Sequence, residues 1–199
     1  FNIVGKYGAQ VQALLKKAAT LDIQTICPLH GPILKENLGY YIGKYMTWSS
    51  YEPEDDGVLV AYASIHGNTK KAAEKMKEIL EAKGAKKVAI TDLSRDDMAE
   101  AIEDAFRYDK LVLAAASYDA SVFPCMETFL NKLTNKNYQN RKIAIIENGS
   151  WAPTAARVMK SYVEKMKKIT LCEKTVTIKS AMKDADVIAM EELADELLA

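Results

Sequence analysis

The chain has 199 residues, with 27 basic against 27 acidic side chains, 49% hydrophobic and 27% charged residues. A balanced charge excludes broad electrostatic capture of nucleic acid or of an anionic membrane. No apolar run approaches the roughly 18–20 residues of a membrane span, and Cys27, Cys125 and Cys172 are too few and too scattered for a disulfide framework. The three cysteines are expected to be buried thiols of a reducing, cytoplasmic compartment. Residue 1 is Phe, and no basic-then-apolar signal segment follows it.

Within 7–20, Val11, Leu14, Leu15 and Ala18 recur at helical spacing, and Ile23 to Ile26 predict a short strand. Tyr40, Tyr41, Tyr45 and Trp48 fall on a later helix, where such aromatics serve as packing rather than as a ligand box. Glu52-Pro53-Glu54-Asp55-Asp56-Gly57 is acidic and helix-breaking, and predicts a linker over 52–57. It separates a leading segment, 1–51, from 58–199, which has the length of one domain. The leading segment is close to the size at which a chain needs outside help to fold.

Beyond the linker, strand and helix patterns alternate. Val58 to Ala63 is a near-continuous apolar run, as in a strand covered on both faces. Ala72, Ala73, Met76, Ile79 and Leu80 form a helical stripe over about 68–83, which Gly84 can stop. Val88-Ala89-Ile90 predicts a second strand, and Ser94 is the expected cap of a helix running to about Phe106. Leu111 to Ala116 is the third strand, followed by a helix from about Cys125, and Lys142 to Ile146 is the fourth, followed by a helix from about Pro153. Val176 and Ile178 mark the last strand, and Asp184 to Leu198 the last helix. Five strands and five helices in alternation imply an α/β fold. They predict a five-stranded parallel, doubly wound sheet with right-handed crossovers.

In such sheets ligands bind beyond the carboxyl ends of strands, so the residues after each strand carry the functional information. After the first strand, Ser64-Ile65-His66-Gly67-Asn68-Thr69 offers two hydroxyls, an amide and a permissive glycine at the start of a helix. Uncapped N–H groups and the helix dipole can hold a phosphate there without a lysine or arginine. The same residues also suit a plain turn. Neither GxxxxGK[ST] nor GxGxxG is present, which argues against an NTPase and a standard dinucleotide fold. After the third strand comes Ser117-Tyr118-Asp119-Ala120, with a tight turn expected near Asp119. After the fourth comes Asn148-Gly149-Ser150-Trp151. Tyr118 and Trp151 can stack on a flat aromatic ligand that ends in phosphate, or can simply anchor their loops.

SIHGNT after VLVAYA, with ASYDASVFP and ENGSWAPTA, resembles the flavodoxin-like domain that binds flavin mononucleotide (FMN). The resemblance covers Val58 to Ala199 and implies strand order 2-1-3-4-5. It implies that Ser64, Ile65, His66, Gly67, Asn68 and Thr69 hold the phosphate. Ser117, Tyr118, Asp119 and Ala120 would line one side of the flavin ring, and Asn148, Gly149, Ser150 and Trp151 the other. Asp119, if near the ring, would disfavour the anionic reduced flavin.

Ile26-Cys27-Pro28-Leu29-His30-Gly31-Pro32 and Trp48-Ser49-Ser50-Tyr51 look like the end of the metallo-β-lactamase-like domain of flavodiiron proteins. The resemblance makes 1–51 a remnant of that domain and His30 the counterpart of a diiron ligand. His30 and His66 are the chain's two histidines, and the family's HxExDH motif is absent. The chain is therefore expected to be a fragment whose His30 holds no metal, diiron chemistry belonging only to a full-length protein. The resemblance implies an FMN-binding electron-transfer module served by a rubredoxin-like or NAD(P)H-linked donor. The leading-segment aromatics, uncovered, predict possible homo-oligomerisation. Alternatives are a free-standing flavodoxin, an NAD(P)H-dependent quinone reductase, and a structural or signalling module without cofactor. A phosphoacceptor domain is disfavoured, since it needs acids where Ser64 and His66 stand.

Overall fold

The computed structural model describes residues 1–3 and 5–199. A 3-10 turn (Gly5–Tyr7) leads into α1 (Gly8–Ala18), and α2 spans Leu38–Ser49. The strand expected at Ile23–Ile26 does not form. A single antiparallel bridge between Ile26 and Leu34 stands in its place, because Pro28 and Pro32 in the returning loop each remove a donor that a ladder would need. Cys27 lies in that loop and is exposed, which corrects the expectation of three buried thiols. Cys125 is half-buried and Cys172 buried, and burial pushes the Cys172 thiol up to about 11.

The remaining elements are β1 (Asp55–Ala63), α3 (Asn68–Ala82), β2 (Val88–Asp92), α4 (Met98–Arg107), β3 (Tyr108–Tyr118), β4 (Ser121–Val122), α5 (Pro124–Asn135), β5 (Gln139–Asn148), α6 (Ala155–Val163), β6 (Lys167–Ile178) and α7 (Asp184–Leu198). The parallel strands run in the order β2-β1-β3-β5-β6, with the two-residue β4 antiparallel to β3. With β4 set aside, this is the predicted flavodoxin-like order 2-1-3-4-5. Alternate residues of each central strand feed two cores. Leu59, Leu111, Leu113 and Ile143 face α4, α5 and α6, while Val58, Val60, Val112 and Ile146 face α3 and α7. Burial on both faces explains the unbroken apolar runs.

Three boundaries differ from the expectation. β1 begins at Asp55, so only Glu52 to Glu54 of the expected 52–57 linker connect the parts. The Gly57 N–H donates to Asp109 Oδ1 at 2.8 Å, and Lys86 and Lys87 pair with Asp56 and Asp55, so the acidic run is held as strand. The cap of α4 is Asp97, whose Oδ1 accepts from the Ala99 N–H at 2.7 Å, while Ser94 bonds Asp92 instead. β6 is far longer than Val176 and Ile178 suggest, because it is an edge strand that exposes lysines along its length.

The leading segment is fastened to the amino end of the sheet. Tyr51 is buried, its hydroxyl accepting from the Gly8 N–H and donating to the Gly5 carbonyl at 2.7 Å. A β-carbon on Gly8 would lie 2.3 Å from the Ser49 carbonyl oxygen, so only glycine lets α1 meet the end of α2. Arg141, 3% exposed, donates to the carbonyls of Tyr51 at 2.7 Å and of Phe106. The Phe1 ring stacks on Phe106 at 3.9 Å. The outer side of α2 stays open, with Tyr40, Tyr41, Tyr45 and Trp48 all exposed.

Candidate functional site

A cleft of about 130 Å³ opens at the carboxyl ends of β1, β3 and β5. Of the residues singled out from sequence, Ser64, Ile65, His66, Asn68, Thr69, Ser117, Asn148, Gly149 and Ser150 line it together. Apart from His66, which is exposed, no lining side chain is titratable.

The β1–α3 loop supplies the donors. Ser64 Oγ accepts from the Gly67 N–H at 3.0 Å, which folds the loop and leaves the Ser64 hydroxyl proton free to donate outward. Gly67 has φ +88° and precedes α3 with no side chain to cap it. The first helical bond runs from the Lys71 N–H to the Gly67 carbonyl, so the N–H groups of Asn68, Thr69 and Lys70 are the uncapped first turn. Thr69 is 2% exposed, lines the cleft, and makes no hydrogen bond with another described residue through its hydroxyl.

The neighbouring helix starts offer fewer free donors. α5 begins with Pro124, which has no N–H. At α6, Ser117 Oγ accepts from the N–H groups of Thr154 at 2.8 Å and Ala155 at 3.2 Å, and Glu147 Oε2 accepts from Ala156 at 2.8 Å. These distant caps also explain why α6 starts at Ala155 rather than at Pro153. Of these three helices, α3 alone keeps all three first-turn N–H groups available to an anion along with its dipole. Gly149 is required by proximity, since a β-carbon there would lie 2.9 Å from Pro153 Cα and 3.1 Å from Ser117 Oγ.

The remaining expected residues lie outside the cleft. Asp119 (φ 48°) and Ala120 (φ 54°) form a two-residue turn between β3 and β4, which is the tight turn anticipated there. Tyr118 is 49% exposed and packs edge-on against Phe123 at 5.7 Å. Trp151 is 89% exposed and anchors nothing. Ala116 and Ser180 line the cleft but were not singled out. Ser180 was findable, because it follows the last strand, where the strand-end rule points. His30 is exposed, and among the described residues no group of three or more His, Cys, Asp or Glu side chains is placed to hold a metal. No helix among the described residues is long and apolar enough to cross a membrane.

Comparison with known proteins agrees with this fold. A family profile described as a flavodoxin domain matches residues 59–179. Protein MJ0732 of Methanocaldococcus jannaschii is 36% identical over 98 residues, covering 47% of this chain and 25% of that protein. The anaerobic nitric oxide reductase flavorubredoxin of Aeromonas hydrophila is 22% identical over 153 residues, covering 75% of this chain and 31% of that one. The fold superposes on rubredoxin oxygen:oxidoreductase of Desulfovibrio gigas with a TM-score of 0.91 at 17% identity, over 99% of this chain and 49% of that one. The chain thus spans between a quarter and a half of the length of these proteins.

Proposed function

The chain belongs to the flavodoxin domain family, and from that premise we propose that it is an FMN-binding electron-transfer module of a flavodiiron-type oxidoreductase. The observation that carries this is the pairing of an uncapped α3 N-terminus with the unengaged Thr69 hydroxyl in a cleft lined by neutral donors. That donor set suits a phosphate monoester. Aligned N–H groups and hydroxyls bond its oxygens, and the helix dipole favours its charge.

The cleft is smaller than the ~300–1,000 Å³ of whole-ligand pockets, so it suits the phosphate and the adjoining chain of FMN rather than the complete cofactor. The ring would be held by the loops of Tyr118, which is half exposed beside Phe123, and Trp151, which is almost fully exposed. When bound, the flavin supplies the redox chemistry. The protein's part is to anchor and orient it. Ser64, Thr69 and the first turn of α3 fix the phosphate. Ser117 and Gly149 hold the β3 and β5 loops at the spacing that α6 dictates. The Asp119 carboxylate, on the turn next to Tyr118, would disfavour added negative charge on the ring.

We assign residues 1–51 to the end of a metallo-β-lactamase-like domain, with His30 at the position of a diiron ligand. Reduction of oxygen or nitric oxide would then belong to a longer protein in which that domain is complete, fed by a rubredoxin-like or NAD(P)H-linked donor. An absorption spectrum of the purified chain with FMN, together with metal analysis, tests the assignment. A bound flavin spectrum with stoichiometric FMN is expected. A chain that neither retains nor takes up FMN refutes it.

A further inference from the structure

Ser180 lies in the loop between β6 and α7, outside the three loops that the sequence marked, yet it lines the same cleft. Its backbone is left-handed, with φ 66°, a conformation that residues bearing a β-carbon resist. What holds it there is Asn148, at the end of β5 and 7% exposed. Asn148 Oδ1 accepts from the Ser180 N–H at 3.1 Å, and its Nδ2 donates to the Ser180 carbonyl at 2.8 Å. The Gly149 N–H adds a bond to the Ile178 carbonyl at 3.0 Å. Both backbone groups of Ser180 are thus engaged by one buried amide, and the hydroxyl alone remains free. α3 and α7 pack on the same face of the sheet. The loop entering α7 therefore stands on the side of the bare first turn of α3.

We propose that Ser180 is a specificity-determining residue that donates its hydroxyl to the phosphate of the flavin, and that Asn148 is the positioning residue that holds it. The proposal rests on the FMN assignment above. It revises the role expected for Asn148, whose side chain has its acceptor and one donor committed to Ser180. It also adds a fourth loop to the cleft. A strained backbone that is over-determined by a buried amide is the pattern found where a side chain must be presented to a ligand.

The test is a set of fluorescence titrations with FMN and with riboflavin, which lacks the phosphate. Wild type, Ser180→Ala, Ser180→Gly, Asn148→Ala and the Ser180→Ala/Asn148→Ala double variant are compared. Ser180→Ala is expected to weaken FMN about tenfold, as for a lost hydrogen bond to a charged group, and to leave riboflavin within about twofold. Ser180→Gly relaxes the left-handed backbone and so folds readily, and it is expected to lose FMN affinity equally. Asn148→Ala is expected to lower the FMN-to-riboflavin affinity ratio, and the double variant to be no worse, because one residue acts through the other. A ratio unchanged in both Ser180 variants overturns the inference while leaving the FMN assignment intact. Additive losses in the double variant overturn the positioning role of Asn148. Failure of the wild type to bind FMN overturns both the assignment and what is built on it.

Discussion

Replacing Thr69 by Val separates a ligand-directed hydroxyl from a structural one. The two side chains have nearly the same shape, and Thr69 is 2% exposed, so packing in the first turn of α3 is preserved. Since the hydroxyl bonds no other described residue, the ligand-free protein loses no internal hydrogen bond. Because the hydroxyl faces the open cleft, its removal should change the stability of the ligand-free protein by less than about 1 kcal/mol. Binding behaves oppositely. A hydrogen bond to a charged group contributes about 1.5–3 kcal/mol, so FMN affinity should fall by roughly 10- to 150-fold, while riboflavin affinity should stay within about twofold. Thr69→Ser, which keeps the hydroxyl, should stay within about threefold for FMN and lose about 1 kcal/mol of stability for the missing methyl. Thermal melts of the ligand-free variants and FMN fluorescence titrations read the two effects separately. A destabilised Thr69→Val protein with undiminished FMN affinity would mean that the hydroxyl serves the fold, and the phosphate assignment would fail at its central residue.

Other perturbations address the supports of the site. Ser117→Ala removes the acceptor shared by the Thr154 and Ala155 N–H groups and should cost about 1 kcal/mol in urea unfolding, the usual effect of losing a helix cap. Ala120→Gly relieves a φ of 54° and should stabilise the protein by about 0.5–1 kcal/mol, read as a higher Tm. At Glu54, burial favours the neutral acid, but bonds from Lys44 and Trp48 outweigh it and hold the carboxyl below its ordinary range. A depressed folded value adds stability above the unfolded pKa of about 4.3 and loses it as pH falls through the folded one. Glu54→Gln should therefore be less stable than wild type at pH 7, with the gap closing in urea melts at pH 3.

The sheet was legible because its central strands are buried on both faces. Val58 to Ala63, Leu111 to Ala116 and Lys142 to Ile146 carry apolar runs that only a doubly covered strand requires, and the intervening stripes place the helices. Edges were less legible. β6 wears lysines where a central strand would wear valines, so only its last apolar positions stood out. The start of β1 was hidden because its aspartates are held by ion pairs with Lys86 and Lys87, partners remote in sequence. The cleft was read from glycines, hydroxyls and amides at strand ends, and seven of those residues converge there, with Ile65 and His66 beside them. What spacing could not reveal is which polar groups are already engaged. Ser117 lines the cleft as expected, and its oxygen also caps a helix that begins 38 residues later in the chain. Asn148 lines it too, and it also clasps Ser180, 32 residues away.

Those engagements divide the polar groups around the cleft into two sets. Ser117, Glu147 and Asn148 satisfy backbone groups of α6 and of the loop before α7, so they fix the walls. Thr69, Ser180 and the first turn of α3 have no such duty, and together with the Ser64 hydroxyl proton they are the groups left to meet a ligand. With no lysine or arginine among the lining residues, affinity for an anion must come from short-range hydrogen bonds and the dipole of α3, both of which depend on geometry rather than on net charge. A wall displaced by an ångström would cost such a site more than it would cost a lysine-lined one, because a diffuse positive charge tolerates misplacement and an N–H vector does not. That demand accounts for the polar side chains of Ser117, Glu147 and Asn148 being spent on holding backbone groups around the cleft.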